Sequence, residues 1–257
     1  MAPLSVAGLS LDAVRQTVVL RGNRLTPLGE LFSIDGDPSD NVWRLTGDFS
    51  AVHGLGGGMT GGAIVVEGPV GRRCGAAMRG GRIEIRGDAG DLLGAGMSGG
   101  EIHVHGIAGD GVGGPSETSR RGMTGGAIVI HGNVGDELGR RMRRGLIAVA
   151  GSAGDAVAAR MLAGTIVVGG KCGRDLAVGM SRGTVVLLHD EAVAIGPTFR
   201  AGGRLASPAL ALLQRELLRL GLPDRVAVRL SGDVQQWHGD AWNRARGEIL
   251  CCAHTQG

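Results

Sequence analysis

Tyrosine is absent from the 257 residues, and phenylalanine and tryptophan occur three times each. A core built around bulky rings is excluded, so the buried material must be thin: Ile, Val, Leu, Ala and Met. The scarcity of rings also argues against nucleic-acid binding by base stacking. No run of eighteen apolar residues occurs, so no membrane-spanning helix is expected. The opening Met1-Ala2-Pro3-Leu4-Ser5-Val6 lacks the charged segment and apolar stretch of a secretion signal. Cysteine is limited to Cys74, Cys172, Cys251 and Cys252, with no CxxC pair and no Cys/His group at metal spacing. Free thiols in a reducing, cytoplasmic compartment are expected, with no metal and no cofactor in this chain. A strong charge of one sign is missing too. The net charge is +3 and 43% of residues are hydrophobic, so disorder is excluded.

Glycine, in contrast, supplies 50 residues, without the Gly-X-Y period of collagen. Methionine reveals why. Apart from Met1, it stands at 59, 78, 97, 123, 142, 161 and 180, at spacings of 19, 19, 26, 19, 19 and 19. Three residues after each comes a glycine, from Gly62 to Gly183. Five after comes Ile64, Ile83, Ile102, Ile128, Ile147, Ile166 and Val185, and seven after another aliphatic residue, from Val66 to Leu187. The consensus is M-x-x-G-x-I-x-V-x-G-x-x-G. Its alternating centre is a strand with one buried face, bracketed by glycines at bends. Nineteen residues cannot bury their own apolar face, so stacked neighbours must do so. Glycine at this density would cost a helix about 1 kcal/mol each, which excludes a helical solenoid.

The expected fold is all-β: a right-handed parallel β-helix of about seven to eight 19-residue coils. Residues 1–46 are read as an N-terminal cap, with Val42 to Asp48 a degenerate leading coil. Residues 47–190 form the β-helix and 191–257 a C-terminal cap. The cap should hold an amphipathic helix over 208–220 (Leu210, Leu213, Leu217 and Leu220) and a short strand over Val226–Leu230. The 26-residue spacing inserts seven residues around Gly114-Pro115-Ser116, expected as a loop on one face.

Several features could carry chemistry. The thirteenth position after Met reads Arg72, Asp91, Asp110, Asp136, Asp155 and Arg174, either a cation ladder or turn residues accepting backbone N–H groups. His103, His105 and His131 fall on the outer strand face, with His105 and His131 neighbours in the stack. A two-histidine metal contact and a polar patch for a partner are both open there. Arg141, Arg143, Arg144, Arg160 and Arg182 gather near the Met corner, a candidate anion-binding edge or a solvated edge. The outer face of the later coils is apolar: Val129, Leu146, Ala148, Val167, Val186 and Leu188. A cover is required, and because a thirteen-residue helix spans only about 20 Å, a partner subunit is expected over the remainder. No catalytic residue is assigned.

The repeat M-x-G-G-x-I-x-V-x-G-x-x-G resembles the C-terminal β-helix domain of the glutamate synthase large subunit. It is more similar to the C-type subunits of formylmethanofuran dehydrogenase and of the bacterial formyltransferase/hydrolase complex. The leader Leu28-Gly29-Glu30-Leu31-Phe32-Ser33-Ile34-Asp35-Gly36 and the tail Trp237-His238-Gly239-Asp240, then Arg246-Gly247-Glu248-Ile249-Leu250, resemble segments of those subunits. The resemblance implies a non-catalytic scaffold in one-carbon metabolism, in a complex moving a formyl group between tetrahydromethanopterin and methanofuran and releasing formate. It implies A-, B- and D-type partner subunits that hold those cofactors and a catalytic metal. An enzyme working on its own coil surface and a separate glutamate synthase-type domain are the competing readings; the 19-residue period opposes the first.

Overall fold

The 19-residue period folds as one strand per coil. The computed structural model describes residues 10–36, 38–116, 119–189, 194–206, 208–230, 232–243 and 246–252. The leader forms α1 (Leu11–Arg15), capped by Ser10, then the antiparallel pair β1 (Val18–Arg21) and β2 (Arg24–Pro27), then the single turn α2 (Leu28–Leu31). Phe32 stacks on Phe49 with ring centres 5.6 Å apart, joining the leader to the first coil.

Eight coil strands follow: β3 (Val42–Leu45), β4 (Ala63–Val66), β5 (Arg82–Ile85), β6 (Glu101–Val104), β7 (Thr124–Ile130), β8 (Arg144–Val149), β9 (Thr165–Val168) and β10 (Arg182–Leu187). Each pairs in parallel with the next. The stack is a β-solenoid, as the spacing required, and its leading strand is the degenerate Val42–Leu45 segment. Ile64, Ile83, Ile102, Ile128, Ile147, Ile166 and Val185 lie in register as one buried column. On a second side, single bridges link Phe49, Val70, Ala89, Ala108, Val134, Ala153 and Cys172. The inserted residues leave the ladder intact: β6 pairs with β7 in full register, and Met123 N donates to Gly113 O at 2.8 Å to resume the coil.

Methionine and glycine recur together for a steric reason. The Met of one coil lies beneath the glycine three residues after the Met of the next coil. A Cβ at Gly126 would come 2.7 Å from both Met97 Cε and the Gly100 carbonyl oxygen, and Gly126 has φ +88°. Only glycine tolerates both the backbone and the approach.

The C-terminal segment then returns to the sheet. β13 (Arg246–Cys252) adds in parallel to β10. β12 (Val234–Gly239) and β11 (Arg200–Leu205) extend it antiparallel, completing eleven strands. Between them lies α3 (Pro208–Arg219), the expected amphipathic helix, with Leu210 and Leu217 buried. The expected strand over Val226–Leu230 is instead the turn α4 (Asp224–Ala227) continued by a 3-10 turn. Val226, Ala227 and Leu230 are buried together, and adjacent residues 226 and 227 cannot share one face of a strand but can share one side of a helix.

Candidate functional site

The outer face of the coil sheet changes character along the stack. Its early part carries Arg82, Glu84, Arg86 and Glu101, linked by ion pairs of 3.7 Å. Its later part carries Ala127, Val129, Ala148, Val167, Val186 and Leu188, all buried. They pack with Leu210, Leu217, Leu220, Leu222, Val226, Ala227 and Leu230 in a second core. The expectation that a partner covers Val129, Leu146, Ala148, Val167, Val186 and Leu188 is corrected here. The chain's own C-terminal segment covers them, Leu146 being half-buried against the same core. The cover extends beyond one helix because α4 and its 3-10 turn also lie on the sheet.

The cover is fastened where the two halves of the face meet. Arg219 at the end of α3 donates to Glu101 Oε1 at 3.0 Å and to Glu216. Burial raises the Glu101 pKa, but the Arg219 guanidinium and His103 outweigh it and hold it below the usual value. His103 is 6% exposed, and its Nε2 lies 3.5 Å from Glu101 Oε2 without a well-formed hydrogen bond. Burial and the nearby Arg82 charge lower its pKa. His105 and His131 are stacked neighbours, ring centres 4.8 Å apart, as the repeat register required. Burial, followed by His105 and His103, lowers the His131 pKa. Among the described residues, no three His, Cys, Asp or Glu side chains are grouped to hold a metal ion.

The aspartate column is spent on backbone. Asp91, Asp110, Asp136 and Asp155 each turn Oδ1 toward the amide of the corresponding residue one coil on, accepting at 3.1, 2.8, 2.7 and 2.7 Å. A shorter column runs beside it: Asn133 Oδ1 accepts from Ser152 N, and Ser152 Oγ from Lys171 N. These side chains stitch coils together, the turn-chemistry alternative of the two. The four cysteines are free thiols. Burial pushes the Cys74 thiol to about 12. Burial and neighbouring Cys251 push Cys172 to about 12, and burial pushes Cys251 to about 11, so these thiols stay protonated.

The five arginines lie within two residues of a Met at the coil corner. Arg141 and Arg160 precede Met142 and Met161 in left-handed backbone, φ +54° and +55°, so their positions stack in successive coils. Arg143, Arg144, Arg160 and Arg182 are exposed, and Arg141 is half-buried with Nη1 3.5 Å from the Arg120 carbonyl oxygen. Two residues escaped the sequence reading. Arg246 pairs in register with Arg182, and Trp242 stands beside the same corner with 86% of its surface exposed. A signal for Arg246 was present: Arg144-Gly145-Leu146-Ile147, Arg182-Gly183-Thr184-Val185 and Arg246-Gly247-Glu248-Ile249 share one pattern. The last is a coil strand detached from its coil.

With this geometry in place, the solved structures provide a full-length match. A chain in the crystal structure of the formyltransferase/hydrolase complex (FhcABCD) from Methylorubrum extorquens, in complex with methylofuran, superposes with a TM-score of 0.85. It is 36% identical, over 98% of this chain and 93% of that one. The chain belongs to the same family as that chain of the formyltransferase/hydrolase complex. The GXGXG motif family model matches residues 82–196 within it. The C-type subunit of molybdenum-containing formylmethanofuran dehydrogenase 1 from Methanothermobacter thermautotrophicus is 44% identical over 69 residues, 26% of this chain and 17% of that protein. Its counterpart in the tungsten-containing dehydrogenase 2 of the same organism is 36% identical over 74 residues, 27% of each chain. The aligned segments thus span about a sixth to a quarter of these curated relatives. No helix among the described residues is long and apolar enough to cross a membrane.

Proposed function

We propose that the chain is a non-catalytic scaffold subunit of a cytoplasmic formyltransferase/hydrolase complex in one-carbon metabolism. The complex would transfer the formyl group of formyl-tetrahydromethanopterin to methanofuran and release formate. A-, B- and D-type subunits would hold methanofuran, tetrahydromethanopterin and the catalytic metal. One observation carries this reading: the likeness to a chain of that complex runs over 98% of the sequence, caps included. The side-chain chemistry agrees with it. The aspartates are committed to backbone amides, burial keeps Cys74, Cys172 and Cys251 protonated, and the solenoid interior is packed with aliphatic residues.

The test is to recover the affinity-tagged chain from its own cells and identify what accompanies it. Formyltransferase and metallohydrolase subunits, with formate released by the complex and not by the isolated chain, are the expected result. Molybdenum or tungsten in the recovered complex would assign the dehydrogenase form instead. Recovery with flavin-dependent glutamate synthase components, or of the chain alone, would sink the reading.

A further inference from the structure

We propose that the corner carrying Trp242, Val178, Arg160, Arg182 and Arg246 is the docking surface for an acidic face of a partner subunit. The inference rests on the scaffold reading and locates its contact. Asp240, 5% exposed, fastens the turn after β12 onto the last coil. Its Oδ2 accepts from Gly179 N at 3.0 Å, its Oδ1 from Trp242 N at 3.0 Å, and its own amide donates to Met180 O. Ala241 N donates to Thr198 O at 3.0 Å. The Trp242 ring is thus held out on a tied turn, 86% exposed, with Val178 beside Gly179 52% exposed. Arg160 reaches the same place: a Cβ on Gly179 would lie 3.1 Å from its Cγ.

The charges decide the class of partner. Arg182 and Arg246 are exposed and directly paired on parallel strands. Like charges in that register destabilise a sheet. Among the described residues, no carboxylate lies within ion-pair distance of Arg160, Arg182 or Arg246. The isolated chain therefore holds a like-charge pair with no directly bonded carboxylate beside an exposed indole. Carboxylates on a partner relieve the first and a shallow apolar slot takes the second. Trp and Arg are also the residue types that carry most interface binding energy. A nucleic-acid strand fits less well, because one ring gives no second platform for successive bases.

The test compares variants of the full-length tagged chain. Each must first match wild type in circular dichroism and melting temperature, as exposed side chains should. Trp242→Ala and Arg246→Glu are each expected to lower the amount of identified formyltransferase/hydrolase subunits retained by about tenfold or more. Leu212→Ala, exposed on α3, should retain the wild-type amount. Wild-type retention should fall as salt rises. Wild-type retention by both Trp242→Ala and Arg246→Glu would overturn the docking surface and leave the scaffold reading standing. Loss in Leu212→Ala as well would overturn it as non-specific. A Trp242-dependent shift of single-stranded DNA with partner retention untouched would reassign the corner to nucleic acid. If the wild-type chain retains none of those subunits, both readings fall together.

Discussion

At the scale of single residues, the molecule is governed by how closely one coil approaches the next. Met97 fills the space beneath Gly126, which has no room for a side-chain carbon. Gly126→Ala adds left-handed strain, about 1–2 kcal/mol, to a backbone clash. Its unfolding midpoint in urea should drop by more than that strain alone implies, and an unchanged midpoint would refute the packing described. Met142→Ala, fully buried, should cost about 2–5 kcal/mol by the same measurement. Asp240 is the polar counterpart. Burial raises its pKa, but the amides of Trp242 and Gly179 and the side chains of Thr198 and Asn243 outweigh it, leaving the pKa below the usual carboxylate value. Its stabilisation is complete above the unfolded value of about 4 and disappears as pH falls through the lower folded value. Asp240→Asn should therefore melt below wild type at pH 7, with the gap closing as pH drops below about 4. A gap independent of pH would contradict the charge's role.

At the scale of elements, the cap and the outer face are one unit. Val167 is fully buried beneath it, and Leu217 is fully buried on its inner side. Val167→Lys places a charge where no water reaches and should detach the cap, seen as fast hydrogen exchange across α3 with the coil strands still protected. Leu217→Ala should cost about 2–5 kcal/mol, while Leu212→Ala, 65% exposed, should stay within about 0.5 kcal/mol. Equal effects would mean that α3 docks in another orientation. The helix was legible from its leucine spacing, because amphipathic periodicity is a local property. Its partner surface was not. Val129 and Val167 show that a cover is needed, but nothing near them in sequence says whether α3 or another protein provides it. The segment Val226–Leu230 misled for the same reason: five residues of mixed pattern suit a strand or a helical turn until the buried side is known.

At the scale of the whole molecule, the sheet needs its ends managed. Truncation after residue 189 removes β11, β12, β13 and the cap, exposing both the edge of β10 and the apolar outer face. That chain should aggregate on expression or bind a hydrophobic dye strongly, whereas the full chain should not. A soluble, dye-silent truncation would show that the cap is dispensable. The candidate interface illustrates the same division. Arg144 and Arg182 could be placed on one edge by counting from Met, but Arg246 reaches it only because β13 pairs with β10, and Trp242 because Asp240 ties its turn to Gly179.

What the sequence determined by itself is the coil: its period, its buried Ile column, the pairing of Met with Gly, and the membership of Asp91 to Asp155 in one column. Each coil meets only its neighbours, so a repeat in sequence is a repeat in space. What only the tertiary structure decided is everything beyond that one-dimensional order. It set which segment covers Val129 to Leu188, where the detached Arg246–Cys252 strand adds, and how Asp240 ties Trp242 to the last coil. The contacts of the cover and of the detached strand join residues far apart in the chain. They depend on shape matching and buried area, which no local pattern encodes.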